Sequence, residues 1–156
     1  MQRESSEPVV ILMADDDADD RMLARDAMIE SRLANPFYVV EDGQELMDYL
    51  RRAGKYATRE APRPGLILLD LNMPRMDGRE ALRAIKNDPD LRSIPVVVLT
   101  TSKTEEDVLR SYNLGANSFI TKPVTFERLV EIVSALGLYW LNIVQLPASS
   151  RVGTNA

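Results

Sequence analysis

The sequence predicts an α/β domain built on an open parallel sheet with helices on both faces, and three observations support that fold class. Five short apolar runs alternate along the chain with stretches of helical period. The strongest runs are continuous rather than alternating, as expected of strands buried on both faces. Four of them end in polar residues of related chemistry: Val9 to Ala14 into Asp15-Asp16, Leu66 to Leu69 into Asp70, Val96 to Leu99 into Thr100, and Phe119 to Thr121 into Lys122. In a parallel sheet those ends share one edge, so acids, a hydroxyl and a lysine converge on one pocket.

Each element follows from its residues. The first strand covers residues 9–14. A helix is expected over 19–33, with Met22, Leu23, Ala27, Met28, Ile29 and Leu33 near helical spacing, stopped by Asn35-Pro36. Residues 37–40 read as the second strand and 44–52, with Leu46, Met47, Tyr49 and Leu50, as the second helix. The third strand is 66–71. Between them, residues 53–65 contain Gly54, Pro62 and Pro64 and read as a long surface loop. Asp77-Gly78 marks a turn before a helix at 79–86. Ile94-Pro95 leads into the fourth strand, and Thr104 with Asp107 opens a fourth helix running to Tyr112. Residues 118–121 form the fifth strand, Pro123 breaks it, and Thr125 caps a last helix.

That last helix keeps its period through Leu129, Ile132, Val133, Leu136, Trp140, Leu141, Ile143 and Val144, across Gly137 at a cost of about 1 kcal/mol. From 126 to 145 it would extend roughly 30 Å, more than a five-strand domain needs to cover itself. The overhang is expected to form a homodimer seam, with Leu138, Trp140, Leu141, Ile143 and Val144 as its contacts. Residues 1–7 and 148–156 are expected to be disordered, and 137–147 to form a helical extension of the domain.

Composition narrows the function. The 156 residues suit one domain, and 45% hydrophobic with 28% charged residues is ordinary for a globular protein. A net charge of −5 argues against a nucleic-acid partner. The polar first residues and the short apolar run after them argue against a signal peptide or membrane span, so a cytoplasmic location is expected. Cysteine and histidine are absent. A thiolate metal site is therefore excluded, and any imidazole chemistry must come from another molecule.

Asp15, Asp16 and Asp70 fall together if the first and third strands are neighbours. Two like charges about 4 Å apart repel by roughly 4 kcal/mol at an effective dielectric of about 20, so the trio must take up a proton or a cation. Oxygen ligands without histidine or cysteine favour Mg²⁺. A carboxylate can attack phosphorus to give an aspartyl phosphate, and phosphoryl transfer then needs mainly positioning and charge neutralisation. Mg²⁺, Lys122 and the Thr100 hydroxyl supply that neutralisation. Asp17, Asp19 and Asp20 read as a solvated acidic helix start.

The motifs Ala14-Asp15-Asp16-Asp17, Leu68-Leu69-Asp70-Leu71-Asn72-Met73-Pro74, Asp77-Gly78, Val98-Leu99-Thr100-Thr101 and Thr121-Lys122-Pro123 carry a resemblance. Over about residues 8 to 136 the chain resembles the receiver domains of two-component response regulators. The resemblance implies a flavodoxin-like (βα)5 doubly wound sheet in the order 2-1-3-4-5. It implies Asp70 as phosphoacceptor from a histidine kinase, assisted by Lys122 and Thr100. It further implies Mg²⁺ on Asp16, Asp70 and the Asn72 backbone carbonyl, with Asp15 acting through water, and a cis Lys122-Pro123 peptide. Thr100 and Phe119 take the family's switch positions. Such a protein is not an enzyme beyond its own phosphorylation and dephosphorylation.

The loop from Gly54-Lys55-Tyr56 to Pro62-Arg63-Pro64, the run Val98 to Ser102 and the ending Tyr139 to Pro147 are similar to single-domain regulators serving phytochrome-type kinases. That similarity implies a bacteriophytochrome as kinase and protein contact as output. Three other readings stay open from the residues: a phosphorelay shuttle or phosphate sink, an aspartate-nucleophile phosphatase, and a pseudo-receiver that only binds proteins. The phosphatase reading lacks its second aspartate, since Asn72 stands there. The pseudo-receiver reading would expect a lost acid or lysine, and none is lost.

Overall fold

A computed structural model describes residues 9–30, 35–101, 115, 116 and 118–135 of the chain. Continuous β-branched and leucine-rich runs form five strands: β1 (Val10–Ala14), β2 (Phe37–Val40), β3 (Pro64–Asp70), β4 (Val96–Thr100) and β5 (Ser118–Thr121). They make one parallel sheet in the order β2-β1-β3-β4-β5. The expected strand order and fold class therefore hold. The described helices are α1 (Ala18–Glu30), α2 (Gly43–Arg51), α3 (Gly78–Asn87) and a last helix, Phe126–Ala135. The expected fourth helix, the dimer contacts Leu138 to Val144 and both expected disordered ends lie outside the described residues.

Side chains alternate across the sheet with period two, so each strand feeds two cores. Leu12, Ala14, Ile67, Leu69, Val96, Val98 and Phe119 point to the layer formed with α2 and α3. Ile11, Met13, Leu66, Leu68, Val97, Leu99 and Ile120 point to the other layer, with Ala24 and Met28 of α1 and Leu129 of the last helix. The sheet is thus covered on both sides, and its polar strand ends bring Asp15, Asp70, Thr100 and Lys122 to its carboxyl edge.

Two expectations need correction. Helix α1 buries only Ala24 and Met28, one turn apart, while Met22, Leu23 and Ile29 are 60%, 56% and 65% exposed. The apolar residues of α1 are too dispersed around the helix for all to face the sheet, and the closest-packing pair is the small and flexible one. Residues 53–65 are not simply a surface loop. Gly54–Ala57 forms a 3-10 turn that buries Tyr56, whose ring meets Tyr49 edge to face at 5.2 Å. Tyr49 in turn contacts the Tyr38 ring at 6.1 Å. The Tyr56 hydroxyl donates to Glu45 Oε2 at 2.6 Å and the Tyr49 hydroxyl to the Pro62 carbonyl at 2.8 Å, so both of these buried phenols are paired.

The start of α3 is set by Asp77, which caps it reciprocally with Glu80. Gly78 then lies directly on the end of β3: its N–H donates to Leu71 O at 2.8 Å, and a Cβ there would come within 2.3 Å of Asp70 O. No side chain fits that contact without moving the backbone that carries Asp70. Gly78→Ala is expected to cost about 1–3 kcal/mol through overpacking, read as a lower midpoint in urea denaturation; an unchanged midpoint would show that the backbone yields freely.

Candidate functional site at the carboxyl edge of the sheet

The register brings the strand ends together in steps. Ala14 pairs with Leu69, so the next residues, Asp15 and Asp70, leave adjacent strands side by side. Asp70 pairs with Leu99 and Thr100 with Thr121, which places Thr100 and Lys122 along the same edge. The Lys122 N–H donates to Thr100 O at 2.9 Å, tying the lysine to the end of β4. The Lys122-Pro123 peptide is cis, as expected.

Asp15, Asp16 and Asp70 each offer a carboxylate oxygen, and these oxygens lie within 4.8 Å of one another. Asp15 is fully buried, Asp70 is 5% exposed and Asp16 is exposed. Lys122 Nζ reaches Asp15 Oδ2 at 3.0 Å, Asp70 Oδ2 at 3.4 Å and Asp20 Oδ2 at 2.8 Å. Asp15 Oδ1 accepts from the Asp17 N–H at 2.9 Å, and Asp70 Oδ1 from the Asn72 N–H at 3.4 Å. Thr100 is buried, and its Oγ1 has no hydrogen-bond partner among the described residues.

Burial pushes the Asp70 carboxyl up to about 6; Lys122 opposes the shift, while the Asp15 charge adds to it. Burial alone would lower Lys122, but hydrogen bonds to Asp20 and Asp15 and the charge of Asp70 hold it well above the usual lysine range. One ammonium thus faces three carboxylates, with a fourth acid, Asp16, open to solvent nearby. Such an oxygen-only donor set with surplus negative charge fits a hard divalent cation.

Two site residues were missed in the sequence. Asp20, read as solvated, is the shortest partner of Lys122. Its position one helical turn beyond Asp16 was visible, but acids in a first turn are ordinary, so the spacing alone did not distinguish it from Asp19. Arg21 donates to the Asp15 carbonyl at 2.8 Å, and no sequence signal marks it. Asp17 does act as expected, accepting from the N–H groups of Asp19 and Asp20 at 2.8 and 3.2 Å at the start of α1. Phe119 is buried in the α2 and α3 layer, 6% exposed.

Acids on β1 and β3, a hydroxyl on β4 and a lysine on β5 form a pattern shared with a known family, whose model, the response regulator receiver domain, matches residues 11–134. The chain belongs to the response regulator receiver domains. Several of the similar solved structures are described as phytochrome or bacteriophytochrome response regulators. Response regulator Rcp1 of Synechocystis sp. is 43% identical over 149 residues, which is 96% of this chain and 100% of Rcp1. The Mn²⁺-bound structure of Rcp1 aligns with a TM-score of 0.67 at 43% identity, covering 90% of this chain and 100% of that one. The bacteriophytochrome response regulator AtBRR aligns with a TM-score of 0.80 at 42% identity, covering 86% of this chain and 96% of its own. The phosphorylated cyanobacterial phytochrome response regulator RcpA aligns with a TM-score of 0.69 at 44% identity, covering 91% and 100%. Receiver domains accept a phosphoryl group and act in signalling. Among the described residues no helix is long and apolar enough to cross a membrane.

Because folded Asp70 keeps its proton up to about pH 6 while an unfolded aspartate loses it near 4, the folded chain binds more protons in that window. Without metal, stability therefore falls as pH rises through it. Asp70→Asn is expected to stabilise the chain by about 1–3 kcal/mol at pH 7 in chelator and by little at pH 4. Urea denaturation at both pH values checks this; an equal effect at each would show that the carboxyl is not held protonated by its surroundings.

Proposed function

We propose that this receiver domain takes a phosphoryl group onto Asp70 from the phosphohistidine of a bacteriophytochrome-type histidine kinase and signals by protein contact. The observation that carries the reading is the buried Asp70 carboxylate, flanked by Asp15 and Asp16 and reached by Lys122 at 3.4 Å. Support for the kinase class comes from the relatives: one is described as a bacteriophytochrome regulator, another as a phosphorylated phytochrome regulator.

Asp16, Asp70 and the Asn72 carbonyl would hold Mg²⁺, with Asp15 linked through water; bound there, the ion supplies two positive charges against the phosphoryl oxygens. The chain's own groups do the rest. An Asp70 carboxylate oxygen forms the O–P bond as the donor's P–N bond breaks, and the electron pair leaves on the imidazole nitrogen. With no histidine in the chain, that imidazole belongs to the partner. Lys122 neutralises a phosphoryl oxygen, for which it must share its charge away from Asp15 and Asp20. Thr100 Oγ1, unpartnered among the described residues, is available to donate to another.

Thr100 and Phe119 serve as the switch in this reading. A shift of the Thr100 hydroxyl toward the phosphoryl group vacates space on the edge of β4, next to which Phe119 stands in register with Val98 on β5. The altered face is that of β5 and the last helix. A homodimer through the last helix and its extension is part of the same reading, supported by the apolar period from Leu129 to Val144 and by Trp140. The protein acts in the cytoplasm, where its kinase's catalytic core resides.

Intact mass after incubation with a small acyl-phosphate donor tests the reading. One Mg²⁺-dependent phosphoryl adduct is expected on the native chain and none on Asp70→Asn, with size-exclusion of each sample reporting any change of assembly. No adduct from either that donor or a histidine kinase would sink the phosphorylation reading. Lys122→Met keeps the acceptor and loses one neutralising charge, so its initial adduct rate is expected to fall about 100-fold; a rate near that of the native chain would remove Lys122 from the chemistry.

A further inference from the structure

Asp15 and Asp16 sit on a segment after β1, and Asn72 on one after β3, neither with regular structure of its own. The two loops are tied to adjacent residues of the turn between β2 and α2, the first to Glu41 through Arg21 and the second to Asp42 through Arg75. On one side the Asp15 N–H donates to Val40 O at 3.1 Å, just ahead of that turn. Arg21 then spans the gap: one guanidinium nitrogen donates to the Asp15 carbonyl at 2.8 Å and another faces Glu41 Oε2 at 3.6 Å.

On the other side Arg75, from the loop after Asp70, forks onto Asp42. Its Nε donates to Oδ2 at 3.0 Å and its Nη2 to Oδ1 at 3.1 Å. Asp42 cannot swing away, because Oδ1 also caps α2 by accepting from the Glu45 N–H at 2.7 Å. Two further features show that the contact is enforced. Arg75 has φ +65°, a left-handed backbone that a side chain adopts only when its surroundings hold it there. Gly43, the first residue of α2, lies so close to the same loop that a Cβ would come within 1.9 Å of the Met76 carbonyl oxygen.

We propose that the Glu41-Asp42 turn is a bracket that sets the spacing between the loop after β1, which carries Asp16, and the loop after β3, which carries Asn72, with Arg21 and Arg75 as positioning residues for the divalent-cation site. The inference rests on the reading that Asp16 and Asp70 share such a cation. Neither arginine is among the residues that would hold the cation; their bonds go to the Asp15 carbonyl, Glu41 and Asp42. Each fixes the backbone from which a ligand projects, and loss of such outer partners typically costs 10- to 100-fold in metal affinity. An event that displaces the α2 N-terminus would therefore loosen the cation site without touching a ligand.

The test uses the full chain, with Mn²⁺ titrated calorimetrically into the native protein, Arg75→Gly and Asp42→Asn, alongside urea denaturation of each. Arg75→Gly removes the fork and relieves the left-handed backbone. Asp42→Asn keeps a competent helix cap and weakens the fork. The expected result is a half-saturating Mn²⁺ concentration about tenfold higher in both variants, with the denaturation midpoint of Arg75→Gly at or above native. Adduct yield from the acyl-phosphate donor should recover in both variants at high Mg²⁺. Native affinity in both variants overturns the bracket. So does weaker affinity that appears only with a lowered midpoint in each, which marks a purely structural role. A native chain that binds no Mn²⁺ overturns the metal reading itself, and the bracket with it.

Discussion

The ammonium of Lys122 is the charge on which this edge of the protein depends. Three carboxylates lie within 3.4 Å of it, two of them on strands whose residues are almost wholly shielded from water. Buried charges of one sign persist only when paired or neutralised. A single lysine cannot fully satisfy Asp15, Asp20 and Asp70, and burial, with the Asp15 charge adding to it, leaves Asp70 ready to hold a proton. The same imbalance is what makes the edge attractive to a cation. Stability and chemistry pull in opposite directions here, as is common where a fold carries a reactive group.

The sheet makes that compromise possible because the rest of it is so well satisfied. All five strands are paired in parallel, and both faces are packed by helices. The hydrophobic interior absorbs the cost of an edge at which like charges crowd. Short backbone contacts then limit how far the edge can relax: Gly78 against the end of β3, and the capped starts of α2 and α3 on either side of the loop after Asp70.

Much of this was legible in the residues, and the reasons differ from place to place. Val96 to Leu99 and Leu66 to Leu69 are uninterrupted and can only be buried strands in a chain of this kind. Asp15, Asp16, Asp70, Thr100 and Lys122 could be placed because strand ends in a parallel sheet share an edge, a rule that needs no coordinates. Asp20 could not, because whether a helix acid faces the lysine or solvent depends on the roll of α1. That roll was misjudged: Met22, Leu23 and Ile29 resemble a core stripe, yet Ala24 and Met28 are what the sheet accommodates. The 53–65 segment misled through its glycine and prolines, which hid the fact that Tyr56 finds both an aromatic neighbour and a carboxylate. Arg21 and Arg75 were invisible for a plainer reason. Their partners lie across turns, and neither an arginine on a polar helix start nor one in a polar loop carries a pattern that names its partner.

The tyrosines packed against α2 form a cluster of opposite character to the strand-end acids. Burial raises the Tyr49 and Tyr56 phenols above their ordinary values; the Glu45 hydrogen bond adds to this at Tyr56, and the nearby Tyr38 and Glu60 add to it at Tyr49. Their hydroxyls therefore keep their protons, and their bonds to Pro62 and Glu45, past the pH of about 6 at which Asp70 gives up its own. Near-ultraviolet dichroism from these edge-to-face rings would stay constant while Asp70 changes its charge, an internal optical reference separating local titration from loss of the fold.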